Sequence, residues 1–416
     1  MNIVIKNATI VDSSSDFNQK KADIKIENGF ITEIAQNIIA EGFKEVALDN
    51  LHVSSGWMDA SVSFGEPGFE DRETISNGLL TAAKSGFTHV AYQPNTSPVI
   101  DNQSIVSFVK SKAVNAATSL HPIGAFTKNQ DGIDLSEMYD MQNEGAIAFG
   151  DYKKNIANAN LLKIGLQYAQ DFNATIIAFC CDGLIKGKGV VHEGITSTQL
   201  GLKGIPPLAE ELIVARNLFL LEYTGGKMHI PTISTAKSVE LIREAKAKGL
   251  NVTCSVAVHN LVLTDNVLTD FDTRFKVNPP IRDAAHQKAL INGVIDGTID
   301  VVTSDHCAVD IEHKKMEFDI AKDGTIGLES AFGALLNVLP LQVIIDKLQA
   351  SKKIFLNDYN EIKVGAKADL TLFNPEKEST FTKNDILSKS KNSAFLNHTM
   401  KGLVYGVYNN NQLIIK

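Results

Sequence analysis

Between residues 88 and 306 the chain carries five short, almost unbroken apolar runs: THVAYQPN, ATIIAFCCD, GKMHIPTIST, LNVTCSVAVH and TIDVVTSDH. Each ends in polar residues. A strand apolar at nearly every position is buried on both faces, the condition of a parallel sheet covered by helices. Stretches of helical period lie between several of these runs. In STAKSVELIREAKAKG, Ser234 or Thr235 suits an N-cap, Val239, Ile242 and Ala245 share a face, and Gly249 stands where a helix ends. Repetition of strand and helix over residues 53–345 predicts a (β/α)8 TIM-type barrel, with a doubly wound open sheet as the alternative. In a barrel the residues just past each strand share one mouth, so chemistry is sought there.

The chain ends follow a different rule. MNIVIKNATIVD and ADIKIENGFITEI alternate apolar and polar residues, and Asn28-Gly29 suits a tight turn needing positive φ. ADLTLFNPEKE and GLVYGVYNNNQLIIK repeat the pattern near the C-terminus. The expected organisation is therefore a small β-domain built from residues 1–52 and 346–416, flanking the barrel at 53–345.

Composition removes several function classes. With 44% hydrophobic and 21% charged residues, and no apolar run of membrane-spanning length, the chain reads as a soluble protein with a large core. The start lacks the pattern of an export signal, so the expected location is cytoplasmic. Four cysteines without CxxC spacing argue against a disulfide framework or a zinc knuckle. A net charge of −8, spread without blocks, disfavours a nucleic-acid partner.

Six motifs in order then carry a family resemblance: DASVSFGEPG at 59–68, GFTHVAYQPNTSPVID at 86–101, EGAIAFGD at 144–151, KVNPPIR at 276–282, DGTIDVVTSDH at 296–306 and GLESAF at 327–332. Together they resemble dihydroorotase, of the amidohydrolase superfamily, which interconverts carbamoyl aspartate and dihydroorotate in pyrimidine synthesis. The resemblance extends to ADLTLFNP and SKSKNSAF near the C-terminus. It implies a metal site built from a DxHxH pair, a bridging acid or modified lysine, two later histidines and a final aspartate. Carried over by position, these places hold Ser61, Ser63, Asp151, Phe179, Thr232 and Asp305. A substrate arginine is replaced by Gly65 and a substrate histidine by Val309, while Asn95 and Asn278 are retained.

A zinc-type ion needs three or four donors, with imidazole nitrogen at about 2.0–2.1 Å the usual neutral ligand. Serine is a weak substitute, and phenylalanine has no lone pair. No metal or other cofactor is therefore expected, with zinc implied only if an active enzyme survives. Gly65 cannot supply a guanidinium clamp for a carboxylate. Asp305 is the residual catalytic candidate and Asn95 and Asn278 the residual substrate-binding ones, each with a plain structural reading beside it.

Further candidates carry both readings too. Cys180, Cys181, Cys307 and His306 could form a thiolate or replacement metal site, or be packed groups; adjacent cysteines on a strand point to opposite faces. His229 and His259 could be core histidines. Ser61 and Ser63 read as small polar fillers, Glu66 and Arg72 as loop residues. Arg282 could bind a ligand or serve a turn. The leading expectation is a catalytically inactive dihydroorotase homologue acting as a structural or regulatory partner of aspartate carbamoyltransferase, as the resemblance implies, in a homodimer or hetero-oligomer. The alternative is an active dihydroorotase or related cyclic amidohydrolase; a third reading is a ligand sensor.

Overall fold

A computed structural model describes residues 1–358 and 361–416. The buried apolar runs form the parallel strands β1 (Trp57–Ser63), β2 (Phe87–Tyr92), β3 (Ser119–Gly124), β4 (Ala148–Gly150), β5 (Thr175–Ile177), β6 (Lys227–Ile230), β7 (Val252–Ala257) and β8 (Val301–Thr303). Each pairs parallel with the next, β1 with β2 across two register shifts. Closure comes from the chain just beyond β8, where His306–Cys307 pairs with Val62 and Ser63 of β1. The result is a (β/α)8 barrel with helices outside.

Local signals acted largely as expected. Thr235 caps the helix Ala236–Ala247 by accepting from the Ser238 N–H, its Val239, Ile242 and Ala245 face is buried, and Gly249 follows at φ 83°. Ser234 does not cap; its hydroxyl bonds the Glu210 carboxylate instead. The run ATIIAFCCD is strand only to Ile177, so Phe179, Cys180 and Cys181 lie on the segment leaving the barrel.

The two chain ends meet in one sheet. Ile3–Ile10 pairs antiparallel with Lys21–Glu27, which turns at Asn28-Gly29, both at positive φ, into Phe30–Ala35. His52–Ser55 pairs with Ile3–Ile10 on one side and with Leu370–Thr380 on the other, joining the N- and C-terminal portions. The expected 52/53 boundary thus falls within a strand of the small sheet. Likewise the helix Leu341–Ser351 runs across the expected 345/346 boundary and packs on β1 and β8. Its apolar residues Ile344, Ile345 and Leu348 are fully buried, which binds this helix to the barrel.

At the end of the barrel opposite the mouth, Met58, Ala91, Ile123, Ala148 and Ile177 form an interior layer closed by Phe355 and Leu356. Beside it lies a buried polar joint. Asp369 of the small domain takes the Lys352 ammonium at 2.9 Å and His89 of β2 at 3.2 Å, and His89 reaches His121 of β3 at 2.9 Å. Burial works against the Asp369 charge, yet Lys352 and His89 hold its carboxyl well below the ordinary range. Burial and the neighbouring His89 push His121 down to about 3. Among the described residues no helix is long and apolar enough to cross a membrane.

Removing Asp369 strands a buried ammonium, which costs about 3–5 kcal/mol. Because the folded carboxyl is depressed, that contribution is present above its unfolded value of 3.8 and fades as pH falls. Urea denaturation of Asp369→Ala is expected to show a large loss at pH 7 and a smaller gap from wild type at pH 3. An unchanged gap would remove this carboxylate as the source.

Candidate functional site

The mouth is built around β1 and β8. Asp59, fully buried on β1, accepts from the Ser61 N–H at 2.9 Å, the Ser304 N–H at 2.8 Å and the Thr303 hydroxyl. Burial pushes its pKa up, and the three donors counter that only in part. This carboxylate ties the first strand to the last and turns the chain so that Asp305, at φ 49°, faces inward.

Asp305 does not face an open cavity. Lys153, two residues past Asp151, places its ammonium 2.7 Å from Asp305 Oδ2. Ser61 Oγ donates to Asp305 Oδ1 at 3.4 Å and accepts from Gln93 Nε2 at 3.1 Å. The pair is nearly dry, with side-chain exposures of 14% for Lys153 and 2% for Asp305. Burial opposes the lysine charge, but the Asp305 carboxylate holds the ammonium above its ordinary range. Burial in turn pushes Asp305 up against the pull of Lys153.

Asp151 is turned away from this pair. Its oxygens accept the Phe126 and Thr127 N–H groups at 2.9 and 3.0 Å and the Thr127 hydroxyl at 2.6 Å, so it fastens the loop after β3. Ser63 accepts from Asn95 at 2.9 Å, leaving the buried Asn95 Oδ1 without a partner. Phe179 and Thr232 are buried, the latter at φ 46° with its N–H on Ser255 Oγ. Asn278 is buried beside the sequence that leads to Arg282.

A family model described as Dihydro-orotase-like matches residues 52–238. The dihydroorotase of Pelotomaculum thermopropionicum is 41% identical over 97% of this chain and 96% of its own length. That of Citrifermentans bemidjiense is 38% identical over the same shares. The chain belongs to the dihydroorotase family. Among solved structures, the L-hydantoinase (dihydropyrimidinase) of Arthrobacter aurescens shares the fold, with a TM-score of 0.87 at 20% identity over 100% of this chain and 96% of that one. A dihydropyrimidinase from Brevibacillus agri superposes with a TM-score of 0.84 at 20% identity, over 100% of this chain and 95% of that one.

The metal that the dihydroorotase resemblance implies does not fit these residues. Of the six ligand positions, only Asp305 points a strong donor into the mouth, and a tethered ammonium already neutralises it. A divalent ion beside that ammonium would meet repulsion in a low-dielectric site, with no imidazole to hold it. The one cluster of three candidate ligand residues among the described residues lies elsewhere: His192, Asp283 and His286, with ligand atoms within 4.8 Å of one another. It fails on tautomers. His286 Nδ1 accepts the Ala236 N–H at 3.0 Å and His192 Nδ1 meets the Arg282 guanidinium at 3.3 Å. Each ring therefore keeps its proton on Nε2 and offers no lone pair there. Burial and Arg282 also push His192 down to about 4.

The positions that the resemblance assigns to the substrate have other surroundings here. Gly65 sits at φ +128°, and a Cβ there would meet the Phe69 carbonyl oxygen at 2.6 Å, so the loop is shaped for glycine. Val309 is buried among loop contacts. Arg282 is spent on the Ile205 carbonyl at 2.8 Å, Ser234 and His192. Glu66 accepts the Ile75 N–H at the start of the helix Ile75–Lys84 and pairs with Lys112 at 3.1 Å. Arg72 stacks on Phe69 and lies 3.6 Å from Asp310.

The histidines and thiols take their packed readings. His306 accepts from the Gly327 and Leu328 N–H groups and meets Phe64 edge-on, with its pKa lowered by burial to about 4. His229 sits between Thr253 and Ser255. Burial raises the Cys180 and Cys181 thiols. His259 differs: it is fully buried near Lys153 with neither ring nitrogen bonded, and burial lowers it to about 3.

Lys153 and Gln93 are not among the ligand positions that the family motifs single out. The available signal was the lysine two residues beyond Asp151, at the end of a barrel strand. Lys153→Met leaves the Asp305 charge unpaired and is expected to cost about 3–5 kcal/mol, with much of the loss recovered in Lys153→Met/Asp305→Leu. Chemical denaturation of the single and double variants measures this coupling. Gly65→Arg is expected to destabilise by about 1–3 kcal/mol through its backbone, rather than to restore a substrate clamp. Its melting temperature checks that.

Proposed function

We propose that this dihydroorotase-family chain is a catalytically inactive member of pyrimidine synthesis, and that it serves in the cytoplasm as a structural or regulatory partner of aspartate carbamoyltransferase. One observation supports inactivity above the others: the buried Lys153 ammonium on Asp305 at 2.7 Å, at the place where the family resemblance puts the metal. An ammonium supplies charge but cannot bind and acidify water as a metal does, and Asp305 held in this pair is a poor general base. Serines 61 and 63 spend their hydroxyls on Asp305 and Asn95 contacts. The frame persists through hydrogen bonds that need no catalysis.

The second reading is ring opening and closing of dihydroorotate or a related cyclic amide. Full-length kinship to proteins named dihydroorotase favours it. The purified chain, assayed in both directions with and without added zinc, separates the two. Rates at the uncatalysed background and far less than one equivalent of zinc per chain are expected. Turnover above background, or one to two equivalents of zinc, overturns the inactive reading. Co-expression tests the partner: elution of the two chains together supports the assignment, and separate elution of both folded proteins removes it.

A further inference from the structure

The sheet of the small domain ends on an open edge. Its last strand, Gln412–Ile415, pairs with Thr399–Asn409 on one side and stands at the end of the strand order, so no strand lies on its other side. The register fixes which backbone groups are left over. The turn Asn410-Asn411, both at positive φ, makes Asn409 and Gln412 its closing pair, Ile414 stands opposite Val407, and the Lys416 N–H reaches the Tyr405 carbonyl at 2.8 Å. Alternation then turns the N–H and C=O groups of Leu413 and Ile415 outward. Among the described residues, no hydrogen bond from another segment meets them. Beside this edge lies a concavity of about 410 Å³. Leu79, Leu80 and Ala83 of the helix Ile75–Lys84 form one wall, Val114 and Ala117 a second, and Ile414 a third. Leu80 and Val114 are exposed by 45 and 67%. Lys112 is the one charged residue lining the groove; it pairs with Glu66 at 3.1 Å, yet its side chain is 45% exposed.

We infer that this edge and groove take up an extended segment of a partner protein by strand addition, a segment that alternates apolar and polar residues and carries a carboxylate for Lys112. Each part of the site matches one part of that ligand. The outward groups of Leu413 and Ile415 supply main-chain hydrogen bonds, which any extended peptide satisfies. Ile414 belongs to the groove wall, so the groove continues one face of the sheet, and a strand laid along the edge sets every second side chain into it. Leu79, Leu80, Ala83 and Val114 select apolar side chains there. With one cation and no carboxylate lining it, the groove selects an acidic residue. A second copy of the chain is the poorer complement, because the strand it would offer, Gln412–Ile415, is followed by Lys416 and carries no acidic side chain. The groove shares no residue with the mouth, so strand addition is independent of what happens at Asp305.

The probe is a short fluorescein-labelled peptide of alternating valine and glutamate, titrated into the full chain and followed by anisotropy. Saturable micromolar binding is expected, at least about tenfold weaker when lysine replaces glutamate in the peptide. Lys112→Glu is expected to reverse that preference, and Val114→Asp, at an exposed position, to weaken binding of the original peptide about tenfold. Two further peptides, N-methylated at alternate amides in opposite phase, test the edge without altering the protein: one phase loses binding and the other keeps it, because only one edge of an added strand faces Leu413 and Ile415. In the wild-type chain the amides of these two residues are expected to exchange several-fold more slowly once the valine-glutamate peptide is bound. Absence of binding, an equal effect of both methylation phases, or unchanged exchange overturns the assignment. Protection of the same amides that grows with chain concentration in the absence of peptide gives the edge to a second copy, and overturns it as well.

Discussion

The barrel closes on a buried carboxylate. Asp59 takes the backbone of the last strand segment through Ser304 and the side chain of Thr303, while holding the backbone of its own strand through Ser61. Beyond those bonds, the strand pairing that closes the barrel is short, His306–Cys307 against Val62 and Ser63 of β1. This explains a feature of the DASVS segment that is otherwise puzzling. The aspartate of the motif has a structural duty of its own, because strand closure uses its oxygens whether or not an ion sits above them. Asp151 follows the same logic, with three donors from the loop after β3. Motif survival at these positions therefore carries information about the frame and little about turnover.

Asp305 poses a different problem, since its side chain leaves the frame and enters the mouth. A lone carboxylate there would bear the full desolvation cost of a buried charge. Lys153 answers that cost with a covalently tethered cation, and Ser61 and Gln93 extend the contact by hydrogen bonds. The consequence is chemical as well as structural. An ammonium has its four bonds filled and offers no open position for water or a carbonyl oxygen, whereas an ion held by protein ligands leaves one. Asp305 and Lys153 thus neutralise each other where the family resemblance puts the metal.

The parts legible in the sequence are those set by local chemistry. Asn28-Gly29 turned as its need for positive φ predicts, Thr235 capped its helix, and the buried runs became parallel strands because few other folds cover both faces. What stayed hidden depends on distant residues meeting. Lys153 reaches Asp305 across 152 positions, and His89 reaches Asp369 across 280. No spacing rule announces such pairs. The helix Leu341–Ser351 misled for a related reason: it lies near the terminal strands in sequence, but its apolar face finds β1 and β8 in space.

Distribution of polar burial along the barrel axis gives the remaining step. At the mouth, charge is neutralised within a small cluster and His259 is left with both ring nitrogens unbonded. At the opposite end, Lys352, Asp369 and His89 join the small domain to β2 and through it to β3. The second cluster fixes how the two units sit together, and it shares no side chain with the first. Frame and mouth are therefore energetically separable: a change that empties the mouth of donors leaves the domain joint, the barrel floor and the outer helices intact. The joint between the domains and the mouth thus rest on separate sets of charges, one at each end of the barrel.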